Sequence, residues 1–570
     1  MLVHALKKYD ALLGRLVLCL AFLWPLLFLC RGIDEVDSGY YLANFKYFFD
    51  ADLRPTIATE LSFLFGGILY RLNPFPAFLG MRVFDWLINC ASWVLVYRML
   101  RAHMPKLWLA AGIFVGSLLV RRYPMIVSYN SFSFLFFIGG LHLMQQSLLR
   151  RNRRMIFYSG LLIGFNVFFR IPNALQALMV VIPFGYALAD RDFGFKNALR
   201  YALRFTAAGF LGLFLGIGLC VLLEGWEAFV HGIGVVLQIG QTGSHAPGNM
   251  FSKIEYQLTE AYYYFGALKP YVYAALVLPL GYALLSRGLK NKYLHLLLQG
   301  LCIMLCLYLG YALGNNLFMD MFVYVLAFLA LLSTILALLL FAKHHKALYL
   351  HALMLLLFIL SVPLGTDNGV YQFCLVGAPL VSAVLAYLSV FEGNAEKQGL
   401  LRRIGRSYAR VFALLVVCSL MVGAMMNIVW KVSYRDGAYA QQDTRVHIPA
   451  LRGMYTSAEK AAGLEAYYRL ISDPALQGRE LAVAGGFPLA HVLTDHHPIL
   501  GYAWSDLKTA DTVQMLRRLE QAERLPVVVL ARFDRNLYGS SFYYQLEAFA
   551  ESHSYRKTEH SLFTFYTPNE

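Results

Sequence analysis

Apolar stretches of about 20 residues recur along the chain between short polar breaks, and that is the length an α-helix needs to cross the hydrocarbon of a bilayer. The pattern predicts about thirteen membrane helices, at 11–30, 78–99, 107–121, 128–148, 155–170, 174–190, 205–224, 270–286, 293–314, 320–342, 347–364, 370–391 and 409–430. The apolar run within 57–73 is too short to cross comfortably and ends in Arg71-Leu72-Asn73-Pro74. It reads as an amphipathic helix lying in the interface, inside one long loop at 31–76. A second large loop, 224–269, is polar and aromatic. Beyond Trp430 no spanning stretch remains; short apolar runs of strand type at 480–484, 525–530 and 562–566 alternate with helical periods at 457–472 and 506–523. The expected organisation is an α-helical polytopic membrane unit, 1–430, followed by a soluble α/β domain, 431–570.

Composition agrees with that class. The 570 residues are 59% hydrophobic and only 15% charged, with a mean hydropathy of +0.54, which excludes a large soluble core. Lys and Arg gather in every second loop, from Lys7/Lys8/Arg15 through Arg150/Arg151/Arg153/Arg154 to Arg402/Arg403/Arg406. Short cytoplasmic loops carry such an excess, so the N-terminus is expected inside and the C-terminal domain outside, in a bacterial inner membrane. The formal charge of +15 therefore sets topology and does not point to nucleic acid. No small-x-small cleavage site follows the first apolar run, which reads as a retained anchor. All eight cysteines fall in apolar stretches, at spacings that suit neither zinc nor a disulfide framework.

Candidate chemistry concentrates at the end of the first span, where Ile33-Asp34-Glu35-Val36-Asp37-Ser38-Gly39-Tyr40-Tyr41 places three carboxylates in four residues just beyond the bilayer. Asp37 suits a helix N-cap as well as a functional acid. Arg121-Arg122 and Arg170 fall at outer helix ends, where basic residues are sparse; snorkelling explains one of the first two. An unpaired guanidinium beside the break at Ile171-Pro172 costs a few kcal/mol, roughly, so Arg170 is expected to meet an anion. The loop 224–269 adds His245, Lys253 and Tyr262-Tyr263-Tyr264, residues suited either to sugar stacking or to an interfacial aromatic belt. Asp367 lines the same face or forms a turn. Asp495-His496-His497 invites a metal reading, but three adjacent ligands do not readily converge, and a loop with solvated histidines fits better.

The acidic motif at this position resembles the GT-C superfamily of membrane glycosyltransferases, which includes protein O-mannosyltransferases and lipid A aminoarabinose transferases. Asp34-Glu35 stands where that superfamily carries its acidic pair, and Asp37-Ser38-Gly39-Tyr40-Tyr41 continues it. The resemblance covers the architecture of the whole chain, while residue-level similarity is confined to this motif. It implies transfer of a sugar from a polyprenyl-phosphate carrier to a glycan, lipid or protein acceptor outside the cytoplasm, by inverting displacement. On that reading Asp34 is the general base with Glu35 beside it, and Asp37 and Tyr40 contact substrate. Arg170, Arg122 and Lys253 face the phosphate, and His245, Tyr263 and Asp367 line the site. Metal use varies within the superfamily; a divalent cation, if used, would sit on Glu35 and Asp37. A carrier-lipid flippase or secondary transporter is the alternative, and a polysaccharide polymerase or ligase a third. The transporter reading predicts ionisable residues in mid-span and paired repeats, and the sequence shows neither clearly: Asp85 and His142, the main candidates, lie toward helix ends.

Overall fold

The computed structural model describes residues 2–50, 57–120, 126–242, 319–341, 345–362, 377–393, 435–506, 510–533 and 541–569, with scattered positions between 255 and 308. Helix α1 (Leu2–Leu23) tightens at Pro25 into a 3-10 turn. After it come α2 (Asp37–Tyr47), α3 (Glu60–Leu72), α4 (Ala77–Leu100), α5 (Lys106–Val120), α6 (Tyr129–Leu149), α7 (Arg153–Phe165), α8 (Ile182–Ala189), α9 (Gly194–Glu224) and α10 (Trp226–Thr242). Three more follow, α11 (Met319–Phe341), α12 (Lys346–Ser361) and α13 (Gly377–Gly393).

Among the described residues five helices are long and apolar enough to cross a membrane: Tyr9–Phe28, Ala77–Leu100, Tyr129–Leu149, Ile171–Ala189 and Gly194–Glu224. Shorter apolar helices run over Lys106–Leu118, Ala330–Leu339 and Lys346–Ser361. The expected spans at 270–286, 293–314 and 409–430 lie wholly or mostly outside the described residues. Helix α3 has 13 residues, about 20 Å at the α-helical rise, against the roughly 30 Å of a hydrocarbon core. Helix α7 is also shorter than expected. At its end the buried Asn166 amide turns to Ser133 O at 3.1 Å and Gln176 Oε1 at 2.9 Å, and the backbone winds into 3-10 turns on either side of Arg170. Glycines bring α7 and α9 into backbone contact, since a Cβ at Gly160 or Gly164 would overlap carbonyls of Phe205 and Gly209.

Residues 435–569 form an α/β layer unit. Strands β1 (Thr444–Arg445) and β2 (Tyr455–Thr456) pair antiparallel. Strands β3 (Leu481–Ala484), β4 (Val527–Ala531), β5 (Arg556–His560) and β6 (Phe563–Thr567) make one sheet in the order β3-β4-β6-β5, with only β3 and β4 parallel. Helix α14 (Ala458–Ile471) covers one face; α15 (Thr512–Glu520) and α16 (Ser541–Ser552) cover the other. The α14 face does not close on itself. Its Leu464, Tyr467 and Phe563 share one apolar core with Tyr41, Leu42 and Phe45 of α2 and Phe63 of α3, so the C-terminal unit is built onto the loop that carries the acidic motif.

Candidate active site

The motif is held from below by the membrane helices. Just past the end of the first helical segment at Phe28, the turning chain presents carbonyls that a buried arginine from α4 partners. Arg82 donates to the carbonyls of Leu29 at 2.8 Å, Arg31 at 2.7 Å and Gly32 at 2.6 Å, which fixes the exit of the first span.

The C-terminal unit holds it from above. Gly32 N–H donates to Tyr455 O at 2.8 Å, Tyr455 N–H to Cys30 O at 2.7 Å and Ile33 N–H to Asp436 Oδ2 at 2.7 Å. The Arg31 guanidinium lies 4.4 Å over the Tyr439 ring. Glu35, 1% exposed, receives the Lys460 ammonium at 2.6 Å. Lys460 also donates to Ile33 O at 3.0 Å and to Arg435 O. Burial pushes the Glu35 carboxyl up to about 7 although Lys460 pulls it down. Burial also opposes the charge on Lys460, but Glu35, Asp436 and Asp34 outweigh it and hold its proton above the ordinary lysine range. Gly39 lets the two parts touch: a Cβ there would stand 2.8 Å from Leu489 Cα and closer still to its nitrogen. Gly39→Val is therefore expected to lower the unfolding midpoint in detergent and to expose residues 435–569 to protease. An unchanged midpoint and cleavage pattern would contradict this docking.

These contacts separate the three carboxylates. Asp34 is 3% exposed and accepts the N–H groups of Val36 at 3.1 Å, Asp37 at 3.3 Å and Ser38 at 2.6 Å. It therefore caps the start of α2, the role the sequence pattern offered to Asp37, and its charge sits favourably at a helix N-terminus. Glu35 is consumed by Lys460, and an ammonium at that distance does not fit a divalent cation on the same carboxylate. Among the described residues no three His, Cys, Asp or Glu side chains converge as a metal site. Asp37 alone of the three is part-exposed, at 29% of its side chain, with Arg435 Nη2 3.7 Å from its carboxylate.

Around Asp37 stands an aromatic wall. Tyr40, one turn on, packs edge-on against Phe63 at 5.6 Å and Trp504 of the C-terminal unit at 5.9 Å. Burial, then Glu60, Tyr129 and Asp37, push the Tyr40 hydroxyl up, so it keeps its proton. Tyr129 lies 6.0 Å from Tyr41, and the Arg170 guanidinium lies 5.6 Å from the Tyr129 ring. Arg170 thus stands behind Tyr129, one ring removed from Tyr41 of the motif. Behind the wall Glu60 is fully buried, and burial together with Glu224 pushes its carboxyl well up.

The other expected site residues are not gathered here. Arg122, His245, Lys253 and Asp367 lie outside the described residues, and Tyr263 is exposed. His496 is tied down, with ring nitrogens 2.7 Å from Arg479 O and 3.1 Å from Ile471 O, while Asp495 pairs with Lys46 at 3.3 Å. The segment 495–497 is a loop with Asp495 fully exposed, as expected, and only His496 departs from the solvated reading. Arg82, Lys460 and Arg435 escaped the sequence reading, as did Asp436, Glu60 and Trp504. Only Arg82 carried a signal, as a charge inside a spanning stretch.

No family model matches the chain, and no curated protein matches it. Among solved structures it is similar to the archaeal oligosaccharyltransferase AglB from Archaeoglobus fulgidus, solved with an inhibitory peptide and a dolichol-phosphate. The likeness has a TM-score of 0.46 at 13% identity, over 99% of this chain and 75% of that one.

Proposed function

We propose that this protein is a membrane glycosyltransferase that moves a sugar from a polyprenyl-phosphate carrier to a nucleophile of a glycan, lipid or protein outside the cytoplasm. The observation that carries the reading is the placement of Asp37. It is the part-exposed carboxylate of the motif, in the first turn of α2 and one turn before Tyr40 and Tyr41, and the Tyr41 ring contacts Tyr129, beside whose ring Arg170 lies. The acceptor hydroxyl gives its proton to Asp37 as its oxygen bonds to the anomeric carbon. The bond from that carbon to the phosphate oxygen breaks on the opposite face, with inversion, and the electron pair leaves on the polyprenyl phosphate. A phosphate is a good leaving group, so one base suffices and no strong general acid is needed. Arg170 offsets the charge that grows on the phosphate. The base is placed at Asp37 and not Asp34 because three backbone N–H groups already occupy the Asp34 carboxylate. The basic loops on alternate sides support an inner-membrane location with the N-terminus cytoplasmic and the motif and C-terminal unit outside.

The test uses native membranes from cells with and without the chain, supplied with radiolabelled polyprenyl-phosphate mannose, galactose, glucose or aminoarabinose. Label is expected to enter product from one donor only when the chain is present. Equal incorporation from every donor in both membranes would refute the reading.

A further inference from the structure

The acid is met by a cation from the far end of the chain. Arg435 opens the C-terminal unit and adopts a left-handed backbone conformation at φ +56°, a strained setting for an arginine that surrounding contacts must hold. Two contacts do so: Lys460 donates to its carbonyl, and the next residue, Asp436, takes the Ile33 N–H and the Gly437 N–H. From that position its guanidinium spans the motif, with Nε 3.9 Å from Asp34 Oδ1 and Nη2 3.7 Å from Asp37 Oδ2. It reaches at once the carboxylate that caps α2 and the part-exposed one. The Arg435 side chain is 23% exposed, so the contact is partly screened from water.

We propose that Arg435 is a positioning residue that fixes the Asp37 carboxylate toward the acceptor side, so that the C-terminal unit completes the site instead of merely covering it. The inference rests on the transferase reading for its catalytic consequence, but the clamp between the two side chains stands or falls by itself. Lys460 is its anchor: the ammonium that neutralises Glu35 also pins the Arg435 backbone. A residue 398 positions away in sequence from Asp37 thereby shares one hydrogen-bonded frame with it.

The experiment has two arms on the full chain. In detergent, unfolding midpoints of Arg435→Gln, Asp37→Asn and the double variant form a cycle; the double variant is expected to lose clearly less than the sum of the singles, as for residues in contact. Additive losses would overturn the clamp. In native membranes with the donor that transfers, Arg435→Gln is expected to lower kcat on the order of 10- to 100-fold, as misplacement of a reacting group does, with donor KM nearly unchanged. Arg435→Lys is expected to recover part of the loss. A raised donor KM at unchanged kcat would overturn the proposal, since Arg435 would then serve the phosphate. A lowered midpoint with kcat and KM both unchanged would overturn it too, since its role would be structural. If wild-type membranes transfer no sugar while the cycle stays coupled, the transferase reading falls and the clamp survives.

Discussion

Asp37→Asn abolishes sugar transfer, with an expected loss of roughly 10²- to 10⁴-fold, the range that a positioned general base contributes. Asparagine keeps the shape and hydrogen-bonding reach of the side chain but cannot take the acceptor's proton. Asp37 lies in the first turn of α2 and is part-exposed, so the change leaves the surrounding packing in place. The matched control is Asp34→Asn. Asparagine has a single accepting oxygen, which keeps the N–H groups of Val36 and Asp37 now held by Oδ1, while its NH2 faces the Ser38 N–H that Oδ2 now takes. Asp34→Asn is expected to cost about 1–3 kcal/mol of stability for the unmet N–H, while transfer per inserted, folded molecule stays within several-fold of wild type because no proton acceptor of the reaction is removed. Single-turnover transfer in native membranes, with each variant's insertion checked by blotting, reads both. A dead Asp34→Asn beside an active Asp37→Asn would return the base to Asp34.

Lys460→Met is the second large effect, and its size depends on pH. Removing one partner of a buried pair leaves the other uncompensated, at a cost of about 3 kcal/mol or more. Here the orphan is Glu35, 1% exposed, with the carbonyls of Ile33 and Arg435 also losing their donor. With Lys460 present, burial already brings the Glu35 carboxyl to about 7, above its ordinary value of 4.5. Without the ammonium it rises further, and the folded variant takes up a proton that the unfolded chain releases. A raised carboxyl contributes stability that is full below its unfolded value and is lost as pH rises through the folded one. Wild type and variant both lose stability between the unfolded value and about pH 7, so the gap between them is expected to stay constant from about pH 5 to pH 6 and to widen as pH rises through about 7 and beyond, where wild-type Glu35 ionises and the variant's does not. The added change Glu35→Gln removes the charge and should flatten that dependence. Thermal unfolding in detergent across this range checks it; a midpoint difference that does not vary with pH would show that Glu35 is not the orphaned group.

Much of the layout is legible in the sequence because it rests on local periodicity. The 13-residue α3 falls inside the run read as too short to span, and β3, β4 and β6 fall where continuous apolar runs stand between helical periods. Strand β5 was not foreseen: it is an edge strand, Arg-Lys-Thr-Glu-His, whose mostly exposed side chains carry no apolar signal. Helix α7 was expected to reach Arg170, but the side chains of Asn166 and Asn173, turned onto Ser133 and Gln176, favour 3-10 turns there.

The site was legible as a place and not as a set of roles. Three acids after a spanning segment mark a motif, and Arg170 at a helix break marks a cation, but nothing in the spacing says which carboxylate keeps its exposure. That is decided by Lys460, Arg435 and Leu489, more than 390 residues away in sequence, which take Glu35, touch Asp34 and press on Gly39. Each is an ordinary residue in its own neighbourhood, a helix lysine, a turn arginine and a core leucine, and only tertiary contact gives it meaning. Of the two roles left open for Asp37, cap or functional acid, the cap goes to Asp34 for a related reason. Cap preference names Asp as a residue type, yet with Asp at both 34 and 37 the backbone path chose the first, whose oxygens reach three N–H groups of the opening turn.

The most direct test is a cryo-EM structure of the Asp37→Asn variant in a lipid nanodisc with the polyprenyl-phosphate sugar that serves as donor. The predicted result places the anomeric carbon beside the substituted side chain at position 37, with room for an acceptor oxygen about 3 Å from it, and the phosphate directed to Arg170. A headgroup bound at the opposite membrane face, or one whose anomeric carbon has no path to position 37, would contradict the assignment of Asp37 as the base.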